Sequence, residues 1–191
     1  MTDNLYAPPE AEVADTDQPV SQNAFYVVST RKLAILFLST TGLYALFWFY
    51  RNWKCYRDAT QTRIWPIPRA LFSYFFIHSL FRKVQAHAIK QGITLDWKSG
   101  GHATLLVIML IVAKFLGRAS AQSIGSPTTE ALGWLILLPL SALFIRAQKH
   151  INAACGDNAG SSNATLTSAN YIWIAIGLVI WALWVFDTTT S

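Results

Sequence analysis

The sequence predicts an all-α, polytopic helical membrane protein, and three features carry that expectation. Hydrophobic residues make up 53% of the 191 positions and charged residues only 13%, about half the charge usual in a soluble domain. Four apolar runs, 33–50, 103–116, 131–145 and 171–186, hold a single charged residue, Lys114, between them. Trp48, Trp53, Trp134, Trp173 and Trp184 lie at or near the ends of these runs, where amphipathic rings settle at the headgroup level of a bilayer.

The chain begins with different material. Residues 1–24, MTDNLYAPPEAEVADTDQPVSQNA, carry five acids, three prolines and no base. Such a stretch buries too little apolar surface to offset its ordering entropy, so residues 1–30 are expected to form a disordered acidic tail. The stretch has no basic leader or hydrophobic segment of the secretory type, so the tail is expected to stay on the mature protein. The helical membrane domain is expected over 31–191.

Leu33 to Tyr50 is the strongest expected span. Its 18 residues include nine Leu, Ile or Phe and no charge, each worth about 0.3–0.6 kcal/mol of insertion. Arg51, Lys54 and Arg57 follow at once, and with Trp48 and Trp53 they read as a membrane-interface anchor. A second span is expected near 103–117, with Lys114 snorkelling from its end. A third lies near 131–146, where Pro139 removes a backbone donor and should kink the helix. A fourth, near 170–186, ends at Asp187.

The linker from Arg51 to His102 is basic. Trp65-Pro66 and Pro68 should break any helix there, and from Arg69 to Gln91 the spacing of Phe72, Phe75, Phe76, Leu80 and Val84 predicts an amphipathic helix. Such a helix either lies in the membrane interface or packs against the spans. Arg69, Phe72, Phe76, Arg82, Lys83 and Lys90 are its expected contacts to lipid or a partner. Counting lysines and arginines on each side of four spans places both long loops in the cytoplasm and both termini outside, although Arg31 and Lys32 oppose that orientation.

Catalytic chemistry is poorly represented. The apolar runs hold no acid, no GxSxG or HExxH stretch occurs, and the loop 156–170 lacks the lysine and spacing of a phosphate-binding loop. No enzymatic activity, cofactor or metal is expected. Cys55 and Cys155 read as free thiols, and His150 with Cys155 would make a metal site only if the loops brought Cys55 to them. Anionic lipid is a better acidic partner than nucleic acid for the net charge of +5. Small residues, Gly42, Ala45, Gly133, Ala175 and Gly177, favour close helix approach or self-association. Two readings follow: a non-enzymatic membrane component that engages lipid or a protein partner, and a small transporter or channel component in which Lys114, Arg118 and His78 line an anion path.

The tail NLYAPPEAEV, the stretch FYVVSTRKLAILFLSTTGLYALFWFYRNW and the following WPIPRALFSYFFIHSLFRKV together resemble a group of uncharacterised bacterial inner-membrane proteins. These pair an Asn-x-Tyr-x-x-Pro tail with a Gly-x-Tyr-x-x-x-Trp-x-Tyr first span. The resemblance is sharpest over residues 4–84. It implies a multi-pass location in the bacterial cytoplasmic membrane and supplies no catalytic residue.

Overall fold

A computed structural model describes residues 24–190, and these form eight α-helices joined by turns and one short 3₁₀ segment. Ala24 to Ser29 run as an extended strap into the interior, so the last residues of the expected tail are ordered and Ala24 to Val28 are buried. The expectation for residues 1–23 lies outside the described residues. The first helix, α1 (Thr30–Ser39), starts where the Ser29 hydroxyl accepts from the Lys32 N–H.

The run 33–50 does not form one helix. Thr41 and Gly42 take positive φ, +51° and +88°, and α2 (Tyr44–Thr60) begins anew beyond them. The signal is local: Ser39-Thr40-Thr41-Gly42 ends a helix with three hydroxyl residues and a glycine suited to the left-handed conformation. The Thr40 hydroxyl donates to the Leu36 carbonyl and accepts from the Tyr44 N–H, tying the two helices together at the turn.

Proline acts differently from expectation at 65–68. Pro66 and Pro68 fall in the first turn of a short helix, α3 (Pro66–Leu71), where their missing N–H groups are not needed. Phe72 separates it from α4 (Ser73–Lys90). The expected continuous helix over 69–91 is therefore two helices, and the break rotates the aromatic stripe. Ile77, Leu80, Phe81, Val84 and Ala88 face the core, whereas Phe72 and Phe75 are 58% and 79% exposed.

Helix α5 (Ser99–Ala121) returns antiparallel to α4 and is 23 residues long, about 34 Å at 1.5 Å per residue. After a cis Ser126-Pro127 bond come α6 (Thr128–Leu135) and α7 (Leu137–Ala154). Their junction at Ile136 lies within one turn of Pro139, whose absent N–H leaves the Leu135 carbonyl without its helical partner. The last helix, α8 (Ser168–Thr190), crosses the end of α1 at Gly177, where a Cβ would collide with the Ser39 carbonyl.

The helices pack as an all-α bundle around Leu33, Leu36, Phe37, Tyr44, Trp48, Phe49, Leu80, Phe81 and Phe144. Phe37, Trp48 and Phe49 all pack on Phe144, with ring centroids 5.0, 5.3 and 5.8 Å away.

Candidate functional site

The strap places backbone amides in the interior, and buried N–H and C=O groups need partners. Side-chain amides supply them. Asn152 accepts from the Val28 N–H and donates to the Val28 carbonyl, at 3.4 and 2.9 Å. Gln148 donates to the Tyr26 carbonyl at 2.9 Å and accepts from Trp48 Nε1 at 2.6 Å. Asn52 accepts from the Tyr26 N–H, and Asn163 donates to the Val27 carbonyl. The Lys32 ammonium donates to Asn163 Oδ1 and to the Thr165 carbonyl, both at 2.7 Å. Gly160 lets this loop touch the strap, because a Cβ there would lie 2.5 Å from Val28 C and O.

This network holds five parts of the chain at one end of the bundle: the strap, the start of α1, the middle of α2, the second half of α7 and the loop 156–167. The turn at Thr41 is half-buried and lines a cleft with Gly117 and Ser120 near the end of α5 and Gly133 and Trp134 of α6, away from this network. Residues 30–53 are thus a helical hairpin that enters the bundle and comes back to the end it left.

The expected interface anchors divide. Trp48 and Trp53 are each 0% exposed, so neither ring is placed at a headgroup surface. Trp48 is tied to Gln148, and Trp53 carries the Arg69 guanidinium 4.5 Å above its ring. The reason for the misplacement is the hairpin, which turns these positions inward. Arg51 lies 5.2 Å over the Tyr26 ring, and Lys54 is half-buried. Trp134 and Trp173 are partly exposed, Trp134 stacking on Trp181 at 4.5 Å. The side chain of Trp184 lies outside the described residues.

Of the expected lipid or partner contacts, Arg69 also stands 4.9 Å over Phe76, and Lys83 donates to the Tyr56 hydroxyl at 2.9 Å. Arg69, Phe76 and Lys83 are therefore engaged within the protein, while Phe72, Arg82 and Lys90 are exposed. The spacing rule missed Trp65, Ile67 and Leu71, which with Phe72 and Phe75 are all more than half exposed around α3 and the start of α4.

Lys114 and Arg118 come together, but His78 does not join them. The His78 ring bonds to Thr104 Oγ1, ten residues or ~15 Å along α5 from Lys114. Lys114 and Arg118 instead flank an open groove of about 520 Å³ between α4 and α5, with Phe75, Val107, Ile111 and Phe115 along it. This is a surface groove and not a passage through the bundle.

Both cysteines are free, and among the described residues no cluster of His, Cys, Asp and Glu has a metal-holding arrangement. Burial pushes the Cys155 thiol up to about 11 and raises that of Cys55, disfavouring thiolate chemistry at either. His150, rather than facing Cys155, stacks flat on Trp97 at 4.7 Å.

Large apolar surfaces remain bare. On α5, Leu105, Ile108, Ile111 and Phe115 are 42–72% exposed, and on α8 Ile172, Leu178, Val179 and Leu183 exceed half. Comparison with known protein families, with characterised proteins and with solved structures finds no match for this chain.

Proposed function

We propose that this chain is a multi-pass membrane protein that works without catalysis, by holding anionic lipid or a protein partner against its basic end. One observation carries the reading. In the most apolar 18-residue window of α5 only 11% is buried, and in that of α6 and α7 only 22%. The core helix of a soluble protein buries such a window against its neighbours, whereas a lipid-facing helix leaves it to the hydrocarbon. Trp65, Ile67, Leu71, Phe72 and Phe75, around α3 and the start of α4, are likewise left bare, as contact with hydrocarbon would leave them.

The strap supports the opposite side for the N-terminus from the one that counting four spans gives. If residues 30–53 leave and return at one end, the crossings are α5, the α6–α7 pair and α8, and the N-terminal strap lies on the side of both basic loops. Thirteen of the 15 lysines and arginines then share that side, Arg31 and Lys32 among them, and only Lys114 and Arg118 lie opposite. The positive-inside rule makes the basic side cytoplasmic. The Asn-x-Tyr-x-x-Pro tail and Gly-x-Tyr-x-x-x-Trp-x-Tyr run support the bacterial cytoplasmic membrane as the location.

The test is extraction followed by lipid binding. The protein should stay in the membrane pellet through an alkaline carbonate wash and leave it only with detergent; release by carbonate overturns the membrane reading. Charge reversal at the exposed Arg82 and Lys90 should weaken binding to vesicles containing phosphatidylglycerol, by about 1 kcal/mol for each charge near the surface. Unchanged vesicle binding and unchanged co-purifying proteins would remove the contact role.

A further inference from the structure

The two cations that break the charge asymmetry meet at one place. Lys114 and Arg118 are one turn apart on α5, both exposed, and neither has a hydrogen-bond or ion-pair partner among the described residues. No acid lines the groove beside them. Phe115 lies between the two cations along α5, Ile111 and Val107 continue the same face away from this end, and Phe75 from α4 forms the opposite wall. From Val107 to Arg118 the face runs about 16 Å.

An apolar trough with two unpaired cations at one end matches a molecule with an apolar chain and an anionic head. Snorkelling alone would explain a long cation near a helix end, but it does not require two to converge on one groove. We propose that this groove binds one anionic phospholipid, its phosphate on Lys114 and Arg118 and an acyl chain along Val107, Ile111 and Phe115. The inference rests on the membrane reading above. It adds a site remote from the basic end, in the leaflet facing the other side.

The test uses the full chain purified in neutral detergent and titrated with phosphatidylglycerol or phosphatidylcholine of equal acyl length, read by native mass spectrometry. The first phosphatidylglycerol should bind at least about tenfold tighter than phosphatidylcholine, and K114Q/R118Q should remove that preference. Ile111→Trp, which fills the trough and keeps both charges, should weaken both lipids. R82Q/K90Q should affect only later additions. An unchanged first affinity in K114Q/R118Q overturns the site, as does equal binding of the two lipids. Displacement of the phosphatidylglycerol by millimolar inorganic phosphate would make it a free-anion site and overturn the lipid assignment. Failure of the membrane reading shows separately, as wild-type protein recovered from detergent-free supernatant.

Discussion

Asn152 carries an unusual share of the interior, because one amide pairs with both backbone groups of Val28 and also accepts from Gln148 Nε2 at 2.7 Å. Truncation would strand several buried polar groups at once, each worth about 1–3 kcal/mol. Asn152→Ala is expected to cost about 2–4 kcal/mol, seen as a lower thermal midpoint in detergent, while Ala at exposed Asn158 should leave the midpoint unchanged. Similar midpoints would mean that the strap contributes little. His87 is buried edge to face against the Phe25 ring at 5.7 Å, and its Nε2 has no hydrogen-bond partner. Burial, with a smaller push from Lys90, lowers its pKa below the ordinary histidine value. The folded state then takes up its proton later than the unfolded chain, so His87 contributes full stability above about pH 6.5 and loses it as pH falls toward the lowered pKa. Against His87→Gln, the wild type should lose up to about 1.4 kcal/mol more per pH unit in that window. Parallel pH profiles would sink this assignment.

At the scale of elements, glycine separates helix contacts that matter from those that do not. Gly177 is where α8 rests on the end of α1, and a methyl group there would meet the Ser39 backbone, which cannot move aside as a side chain would. A methyl group added at Gly133, in α6, would meet nothing within 4 Å. Gly177→Ala should therefore lower the thermal midpoint or the yield of folded protein, whereas Gly133→Ala should be neutral or stabilise by up to about 1 kcal/mol through helix propensity. A destabilised Gly133→Ala together with a tolerant Gly177→Ala would contradict this packing. Composition alone assigns both glycines the same part in close helix approach; only the crossing of α8 over α1 distinguishes them.

For the whole molecule, sidedness is the decisive property. The native thiols report it poorly, since Cys155 is only 6% exposed and burial raises both thiol pKa values. In a C55A/C155A background, single cysteines at the exposed positions Thr62, Ser161 and Gln122 avoid that difficulty. With a membrane-impermeant maleimide, T62C and S161C should react only after spheroplast lysis and Q122C should react before it. An added cysteine at Asp3 should follow T62C, since the hairpin returns to its starting side. Reaction of D3C in intact spheroplasts would restore the outward N-terminus and a crossing over 33–50.

Helical class and the positions of the three long apolar helices are legible in the sequence, because transfer of an apolar side chain into a nonpolar phase is local and nearly additive along a run. The interruption at Thr41-Gly42 is legible in principle, as a hydroxyl run followed by glycine, but the hydrophobicity on either side outweighs it. The strap is not legible: an extended segment has no helical period, and Asn152 lies 124 residues from the Val28 it satisfies. Nor is the groove, whose walls meet only because the break at Phe72 sets the register of α4 against α5. Side-chain chemistry, read along the chain, is enough to say which residues require an apolar environment. Long-range packing settles which of them find it inside the protein, as Trp48 and Trp53 do, and which remain outside, as Ile108 and Phe115 do, because burial depends on partners distant in the chain.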